Sequence, residues 1–247
     1  MEYCAQLLAG QQALVTGAGK GIGRACAVKL SDCGARVIAV ARTKSDVFRL
    51  AQAHDRITPW VMDATSSAFL DQIEQGPNID ILVNNLGTNI PEPFINVSPS
   101  NLDTLLDINV SALFRLTQRV TRKMIQAEIP GSIINITSQM GHVGAENRTV
   151  YCMTKHAIEG LTKALAVELA SHHIRVNSVA PTFIATPLIE PMLKDPAFQA
   201  FVLNNIPLGR LASVEDVANA VLFLASTQLS SSVTGASLKV DGGWTAH

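Results

Sequence analysis

Short unbroken runs of Val, Ile, Leu and Ala alternate along the 247-residue chain with longer stretches in which apolar residues return every three or four positions. A run with no polar face suits a strand buried on both sides, and the longer period suits an amphipathic helix. The runs predict strands over Ala13–Thr16, Arg36–Val40, Pro59–Met62, Ile79–Asn84, Gly131–Thr137, Ile174–Ala180 and Ser237–Val240. Helices are predicted over Ile22–Cys33, Ser66–Gln75, Pro99–Ala127, Val150–Ala170 and Val214–Ser226. Such alternation builds βαβ units, so the expected class is α/β, a doubly wound seven-stranded parallel sheet with helices on both faces. No linker interrupts it, and residues 1–247 read as a single domain.

One stretch breaks the rhythm. Between residues 186 and 208, Pro187, Pro191, Pro196 and Pro207 bracket short helical pieces. An insertion of that kind in a compact domain is expected to be a substrate loop.

Composition narrows the class. With 47% apolar and 16% charged residues, the chain can bury a broad aliphatic core without metals or cross-links. A net charge of −1 with scattered Lys and Arg offers no basic face for nucleic acid. Cys4, Cys26, Cys33 and Cys152 have no zinc-ligand spacing and are expected as reduced, mostly buried thiols. Glu168 and His172 offer only two side chains on one helix face, so no metal is expected. Nothing in the N-terminal residues or the apolar runs indicates export or membrane insertion, and a cytoplasmic protein is expected.

The first strand runs into Gly17-Ala18-Gly19-Lys20-Gly21-Ile22-Gly23 and then a helix. Glycines there let the backbone turn sharply and approach a pyrophosphate, while the helix N-terminus supplies amide donors and a favourable dipole. Such a turn also serves as a plain tight βα loop, but its place after the first strand predicts the dinucleotide-binding turn of a Rossmann fold. The end of the second strand, where a carboxylate would bind the ribose of NAD, holds Ala41, Arg42 and Thr43 instead. Arg42 and Lys20 together favour a 2′-phosphate, hence NADP(H).

The fifth strand ends at Ser138, and Tyr151 and Lys155 follow at i and i+4 on a helix, which stacks phenol and ammonium on one face. A phenol titrates near 10, so bringing it to neutrality needs about three units, about 4 kcal/mol. A neighbouring ammonium is expected to act in that direction.

Thr16-Gly17-x-x-x-Gly21-x-Gly23, Asn84-Asn85-x-Gly87, Asn109, Ser138 and Tyr151-x-x-x-Lys155 stand in the order and spacing of the short-chain dehydrogenase/reductase family, which the whole chain resembles. Within it, Gly17 to Arg24, Ala41-Arg42-Thr43, Ser138-Gln139, Ile206 to Gly209 and Gly242-Gly243-Trp244 are similar to the L-xylulose (dicarbonyl) reductase branch. The resemblance implies a catalytic set of Asn109, Ser138, Tyr151 and Lys155. Tyr151 would pass a proton to a carbonyl oxygen that Ser138 also hydrogen-bonds, with hydride from the nicotinamide. Lys155 would hold the nicotinamide ribose and lower the Tyr151 pKa, and Asn109 would fix a water leading to Lys155.

The resemblance further implies coenzyme contacts at Gly17, Gly19, Lys20, Gly21, Ile22 and Gly23, at Arg42 and Thr43, and at Asp63 and Ala64 beside the adenine. Asn85, Leu86, Gly87, Tyr151, Lys155, Pro181, Phe183, Ile184 and Thr186 would complete the coenzyme site. Departures from the branch gather near the substrate: Leu86, Ala180 and Arg148 differ. Ser138, Gln139, His142 and Arg148 are the candidate substrate wall. Their polarity suits a small hydroxylated carbonyl compound, a ketose or α-dicarbonyl, or the matching polyol. A 3-oxoacyl-thioester reductase would use the same catalytic set, and a non-catalytic NADPH-binding protein would not need all four groups. The resemblance also implies a homotetramer packed through the Pro99–Ala127 and Val150–Ala170 helices.

Overall fold

The computed structural model describes residues 6–186, 189 and 192–246. Cys4, Pro187 and Pro191 lie outside them.

Seven strands form one parallel sheet: β1 (Gln12–Thr16), β2 (Arg36–Ala41), β3 (Ile57–Val61), β4 (Ile81–Asn84), β5 (Gly131–Ile136), β6 (Ile174–Pro181) and β7 (Ser237–Val240). The spatial order is β3-β2-β1-β4-β5-β6-β7. Register pairs Ala13 with Val37 on one side of β1 and with Ile81 on the other. The direction of winding reverses between β1 and β4, and that reversal opens a crevice beyond the C-terminal strand ends.

Alternate residues of each strand face opposite layers, as a period of two requires. Ala13 and Val15 pack under helices α1 (Gly21–Asp32) and α2 (Lys44–Ala53), with Cys26, Leu30, Val47 and Leu50. Leu14 faces the other layer, where Phe69 of α3 (Ser67–Gln75) lies in one apolar cluster with Leu116 and Val120. Both faces of the central strands are therefore covered.

The expected Pro99–Ala127 helix is a continuous rod of three parts: α4 (Pro99–Leu106), a π turn (Asp107–Ser111) and α5 (Ala112–Gln126). The π turn surrounds Asn109, and its inserted residue leaves no mark in the apolar spacing. Helix α6 (Thr149–Glu168) begins two residues before Tyr151. In the insertion, a 3₁₀ turn (Met192–Lys194) precedes α7 (Pro196–Asn204), and α8 (Val214–Ala225) follows.

Two helices escape the periodicity reading, α2 and the short Thr227–Ser230 turn. In α2 only Val47 and Leu50 are buried among ten residues, too few for a visible stripe. Cys26 and Cys152 are free and buried, as expected. Cys33 is disulfide-bonded, which corrects the expectation of a reduced thiol there. Among the described residues no helix is long and apolar enough to cross a membrane.

Candidate active site

The C-terminal strand ends open onto a cleft of about 1230 Å³. One end is floored by the turn after β1, where Gly19, Lys20, Gly21 and Ile22 line the space. Gly17 and Gly23 lie beneath it. A Cβ on Gly23 would stand 2.3 Å from the Gly17 carbonyl oxygen, so the turn closes only with glycine there. Asn85 braces the turn from β4: its Nδ2 donates to the carbonyls of Thr16 at 3.0 Å and Gly17 at 3.3 Å.

Lys20 and Arg42 differ in their surroundings. Lys20 is exposed but lies 3.5 Å from Asp46 of α2, a carboxylate that also lines the cleft. Lys20 thus reaches the cleft with a carboxylate beside it. Arg42 and Thr43 follow β2 and are exposed at the surface. Asp63 follows β3, where a backbone hydrogen bond from Thr65, the Thr65 hydroxyl and the charge of Arg42 hold its carboxyl below the usual range. Ala64 and Leu86 border a small void behind the cleft rather than the cleft itself.

The other end carries the expected chemistry. Ser138, Gln139, Arg148, Tyr151 and Lys155 line it together, with Asn85 and Gly87 between the two ends. Pro181, Phe183, Ile184 and Thr186 form the wall that leaves β6. Ser138 Oγ accepts from the Met140 amide at 3.1 Å, which fixes its rotamer, and it shares a hydrogen bond with Tyr151. The Lys155 ammonium donates to the Ile136 carbonyl at 3.0 Å and lies 5.6 Å from the Tyr151 ring centre.

Burial pushes the Tyr151 phenol up to about 12, against the pull of the Ser138 hydrogen bond and the Arg148 charge. Burial likewise brings the Lys155 ammonium down to about 8, with Glu159 acting the other way. The expected lowering of Tyr151 by Lys155 is therefore not met. The ammonium is turned onto the end of β5, and desolvation of the phenolate outweighs it.

Asn109 is buried and does not line the cleft. Its Oδ1 accepts from the Thr88 amide at 2.8 Å, and its Nδ2 donates to the Thr88 carbonyl at 2.9 Å and to Thr154 Oγ1 at 3.2 Å. The amide thus clamps the loop after β4 to α6. A Cβ on Gly87 would lie 3.4 Å from Asn109 Oδ1 and 3.6 Å from Lys155 Nζ, so both atoms border one space beside that glycine.

His142 departs from its expected place. It does not line the cleft, and its Nε2 lies 2.9 Å from Ser237 Oγ and 3.2 Å from Glu159. A wall position is corrected to a half-buried polar contact off the cleft, made by residues 17 and 95 positions away, a distance invisible to local spacing. Thr182, which sequence reasoning passed over, lines the cleft with a buried Oγ1 that has no partner among the described residues, as does Gln139 Oε1. An aromatic group closes that side: Phe183 lies 5.5 Å from Phe198 of α7 and 5.8 Å from Trp244, and Phe201 lies 5.9 Å from Trp244.

Known proteins share this arrangement over nearly the whole chain. A family model described as Enoyl-(Acyl carrier protein) reductase matches residues 17–245. An L-xylulose reductase of Mus musculus is 42% identical over 241 residues, 97% of this chain and 98% of that one. A carbonyl reductase [NADPH] 2 of Sus scrofa is 39% identical over 238 residues, 96% and 97% of the two chains. Among solved structures, a protein from Beutenbergia cavernae described as a putative NAD(P) dependent gluconate 5-dehydrogenase, with NADP bound at low occupancy, superimposes with a TM-score of 0.92, 34% identity and coverage of 99% and 100%. With its fold, its glycine turn and its Ser-Tyr-Lys cluster in place, the chain belongs to the short-chain dehydrogenase/reductase family of oxidoreductases.

Proposed function

We propose that this protein is an NADPH-dependent reductase of a small hydroxylated carbonyl compound, a ketose or α-dicarbonyl, with polyol oxidation as the reverse reaction. The single observation that carries the reading is that Ser138, Tyr151 and Lys155 share one end of a cleft whose other end is the glycine turn. The names of the similar L-xylulose and carbonyl reductases support it, as does the NADP bound to the similar dehydrogenase.

The residues fit a dinucleotide. A Cβ on Gly19 would press on Ala41 and Asp46 at 3.2 and 3.3 Å, so bare backbone faces the cleft at the N-terminus of α1. In this reading the segment Gly17 to Gly23 holds the pyrophosphate, and Arg42, Thr43 and Lys20 meet the 2′-phosphate. Asp63 meets the adenine, Asn85 and Gly87 line the middle of the coenzyme's path, and Ala64 and Leu86 back it. Pro181, Phe183, Ile184 and Thr186 flank the nicotinamide half, and the unpartnered Thr182 hydroxyl is a ready donor beside them. When bound, the coenzyme supplies the hydride.

Tyr151 donates the proton that the reduced carbonyl oxygen needs, and Ser138 donates a second hydrogen bond to that oxygen. A phenol held near 12 stays protonated at neutral pH, which favours the reducing direction. Lys155, buried beside it, holds a positive charge that steadies the developing phenolate. Asn109 keeps the Gly87 space open toward Lys155 for a water. Gln139 and Arg148 are the polar groups left to orient the substrate's hydroxyls, and Phe183, Phe198, Phe201 and Trp244 close the substrate loop over it. We place the reaction in a single domain spanning residues 1–247. A homotetramer packed through the Pro99–Gln126 rod and α6 belongs to the same proposal, and half-exposed Phe114 and Met153 on those elements support it. A cytoplasmic setting also belongs to it, with the Cys33 disulfide weighing on the other side.

A second reading, reduction of a 3-oxoacyl thioester, is favoured by the acyl-carrier wording of the family model. One assay separates them: purified protein with NADPH and with NADH against ketoses, α-dicarbonyls and acyl-carrier thioesters, beside Tyr151→Phe. Sugar or dicarbonyl turnover that falls by about 10²–10⁴-fold in Tyr151→Phe supports the first reading. Thioester turnover at least about tenfold above that on sugars overturns the substrate assignment, and equal turnover by Tyr151→Phe rejects the acid.

A further inference from the structure

Glu159 is 5% exposed and sits one helical turn beyond Lys155 on α6, in a position the reaction above does not use. Its Oε1 accepts from the Thr137 hydroxyl at 2.5 Å and the Ser237 hydroxyl at 3.1 Å. Its Oε2 accepts from the Ser178 hydroxyl at 2.8 Å. His142 Nε2 lies 3.2 Å from Oε1 and 2.9 Å from Ser237 Oγ. Ser237 has one hydroxyl proton and gives it to Glu159, so its oxygen accepts from His142, and Nε2 is the protonated ring nitrogen. Among the described residues, His142 and Lys155 are the titratable groups that face this carboxylate, and its other neighbours from β5, β6 and β7 are hydroxyls.

The contacts converge on the residues that carry the chemistry. Lys155 grips the carbonyl of Ile136, the last residue of β5, and Glu159 grips the side chain of Thr137, the residue just after it; Ser138 follows. The 3₁₀ turn Gln139–Gly141 then rides directly on α6. A Cβ on Gly141 would lie 3.1 Å from the Lys155 carbonyl oxygen and 3.2 Å from Glu159 Cγ, so any side chain there would push the turn off the helix. One carboxylate thus ties β5, β6, β7 and the Ser138 turn to the helix of Tyr151 and Lys155. Apolar packing could make the same tie without the desolvation cost of a buried charge. What a carboxylate adds is a negative charge one helical turn from a buried ammonium whose hydrogen bond goes to the neutral Ile136 carbonyl.

We propose that Glu159 is a positioning residue that keeps Lys155 in its charged form and the Ser138 turn seated against it, acting through those two side chains without touching substrate or coenzyme. The proposal rests on the reading of Tyr151 and Lys155 as the proton-transfer pair.

The test follows Lys155 itself. In full-length protein carrying 13C-labelled lysine, the Lys155 ε-carbon resonance, assigned by its loss in Lys155→Arg, is titrated from about pH 6 to 11 in wild type, Glu159→Gln and Glu159→Asp. An opposite charge at close range holds a midpoint up by about one unit or more, so the midpoint is expected to fall by about one unit in Glu159→Gln. Glu159→Asp keeps the charge but retracts it by one methylene, so its midpoint is expected between the two. From a wild-type value of about 8, a one-unit fall leaves roughly fivefold less charged Lys155 at pH 8, and kcat is expected to drop by about that factor there while recovering at lower pH. A merely structural role would lower activity equally at all pH values. A Lys155 midpoint equal to wild type in either folded variant overturns the proposal, and Glu159→Asp serves alone if Glu159→Gln does not fold. The midpoint is read without turnover, whereas the reading beneath it stands or falls on Tyr151→Phe, so the two failures are told apart.

Discussion

The Lys20 ammonium lies 3.5 Å from the Asp46 carboxylate, which places a negative charge at the very edge of the cleft where a 2′-phosphate would be read. Lys20 is 81% exposed, so the pair itself is weak, but Asp46 is only 14% exposed and its field is less screened. Arg42 has no carboxylate within ion-pair distance among the described residues. On the proposed reading, discrimination between coenzymes is expected to fall mainly on Arg42, with Asp46 working against Lys20. Asp46→Asn is expected to tighten NADPH binding by about threefold to tenfold and leave NADH nearly unchanged, because one charge near a phosphate is worth about 1 kcal/mol in this setting. Arg42→Ala is expected to weaken NADPH by at least about tenfold and spare NADH. Calorimetric titration of both coenzymes into each variant checks this, and equal effects on the two would show that neither residue reads the phosphate.

The strands β1, β2, β4, β5 and β6 were legible because most of their residues are buried on both faces; the edge strands β3 and β7 are only partly buried and were legible from their short apolar runs. The observed ends differ from the expected ones by at most a residue or two. Helix α2 was hidden because two buried residues in ten make no stripe. The glycine turn and the Ser138, Tyr151 and Lys155 cluster were legible because each sits at a strand end or within one helical turn. The roles of His142, Glu159 and Thr182 were not, since they depend on partners brought in by β7, β6 and the loop after β6. The carboxylate beside Lys20 was hidden for the same reason: Asp46 stands 26 positions away on a helix that the pattern did not reveal.

Asp241, buried at the end of β7, organises the chain's last turn. Its Oδ1 accepts from the Gly243 amide at 3.0 Å, and its Oδ2 accepts from the Thr245 amide at 3.0 Å and the Thr245 hydroxyl at 2.6 Å. This knot sets Trp244 against Phe183 and Phe201 at the substrate side. Burial works against the carboxylate, but the hydrogen bonds from Thr245 and Gly243 prevail and hold it below the usual range. A depressed carboxyl contributes stability that is present above its unfolded value, near 3.8, and is lost as pH falls through the lower folded value. Asp241→Ala is expected to raise the substrate KM severalfold with a smaller change in kcat, and to flatten the fall of Tm below about pH 4. Steady-state kinetics and melting curves from about pH 3 to 7 check both, and an unchanged KM would separate Trp244 from substrate closure.

Cys26 on α1 is enclosed by the core layer under β1, and burial pushes its thiol from 9.0 up to about 12. The folded protein therefore keeps this proton where the unfolded chain gives it up. Its contribution to stability is intact below pH 9 and is lost progressively as pH rises from 9 toward 12. At pH 10.5 the loss is about 1.5 units of linkage, about 2 kcal/mol. Lys155 acts with the opposite sign between about 8 and 10.5, because there the unfolded chain holds more protons than the fold, and Tyr151 adds to the loss between 10 and about 12. The difference between wild type and Cys26→Ala cancels both of those terms and isolates the thiol. Cys26→Ala is expected to be less stable than wild type at pH 7, by about 1 kcal/mol for the small cavity it leaves, and to close that gap or reverse it by pH 10.5. Urea unfolding of the two proteins at pH 7, 9 and 10.5 measures it, and a gap that stays constant across the series would mean that the Cys26 thiol does not titrate differently on folding.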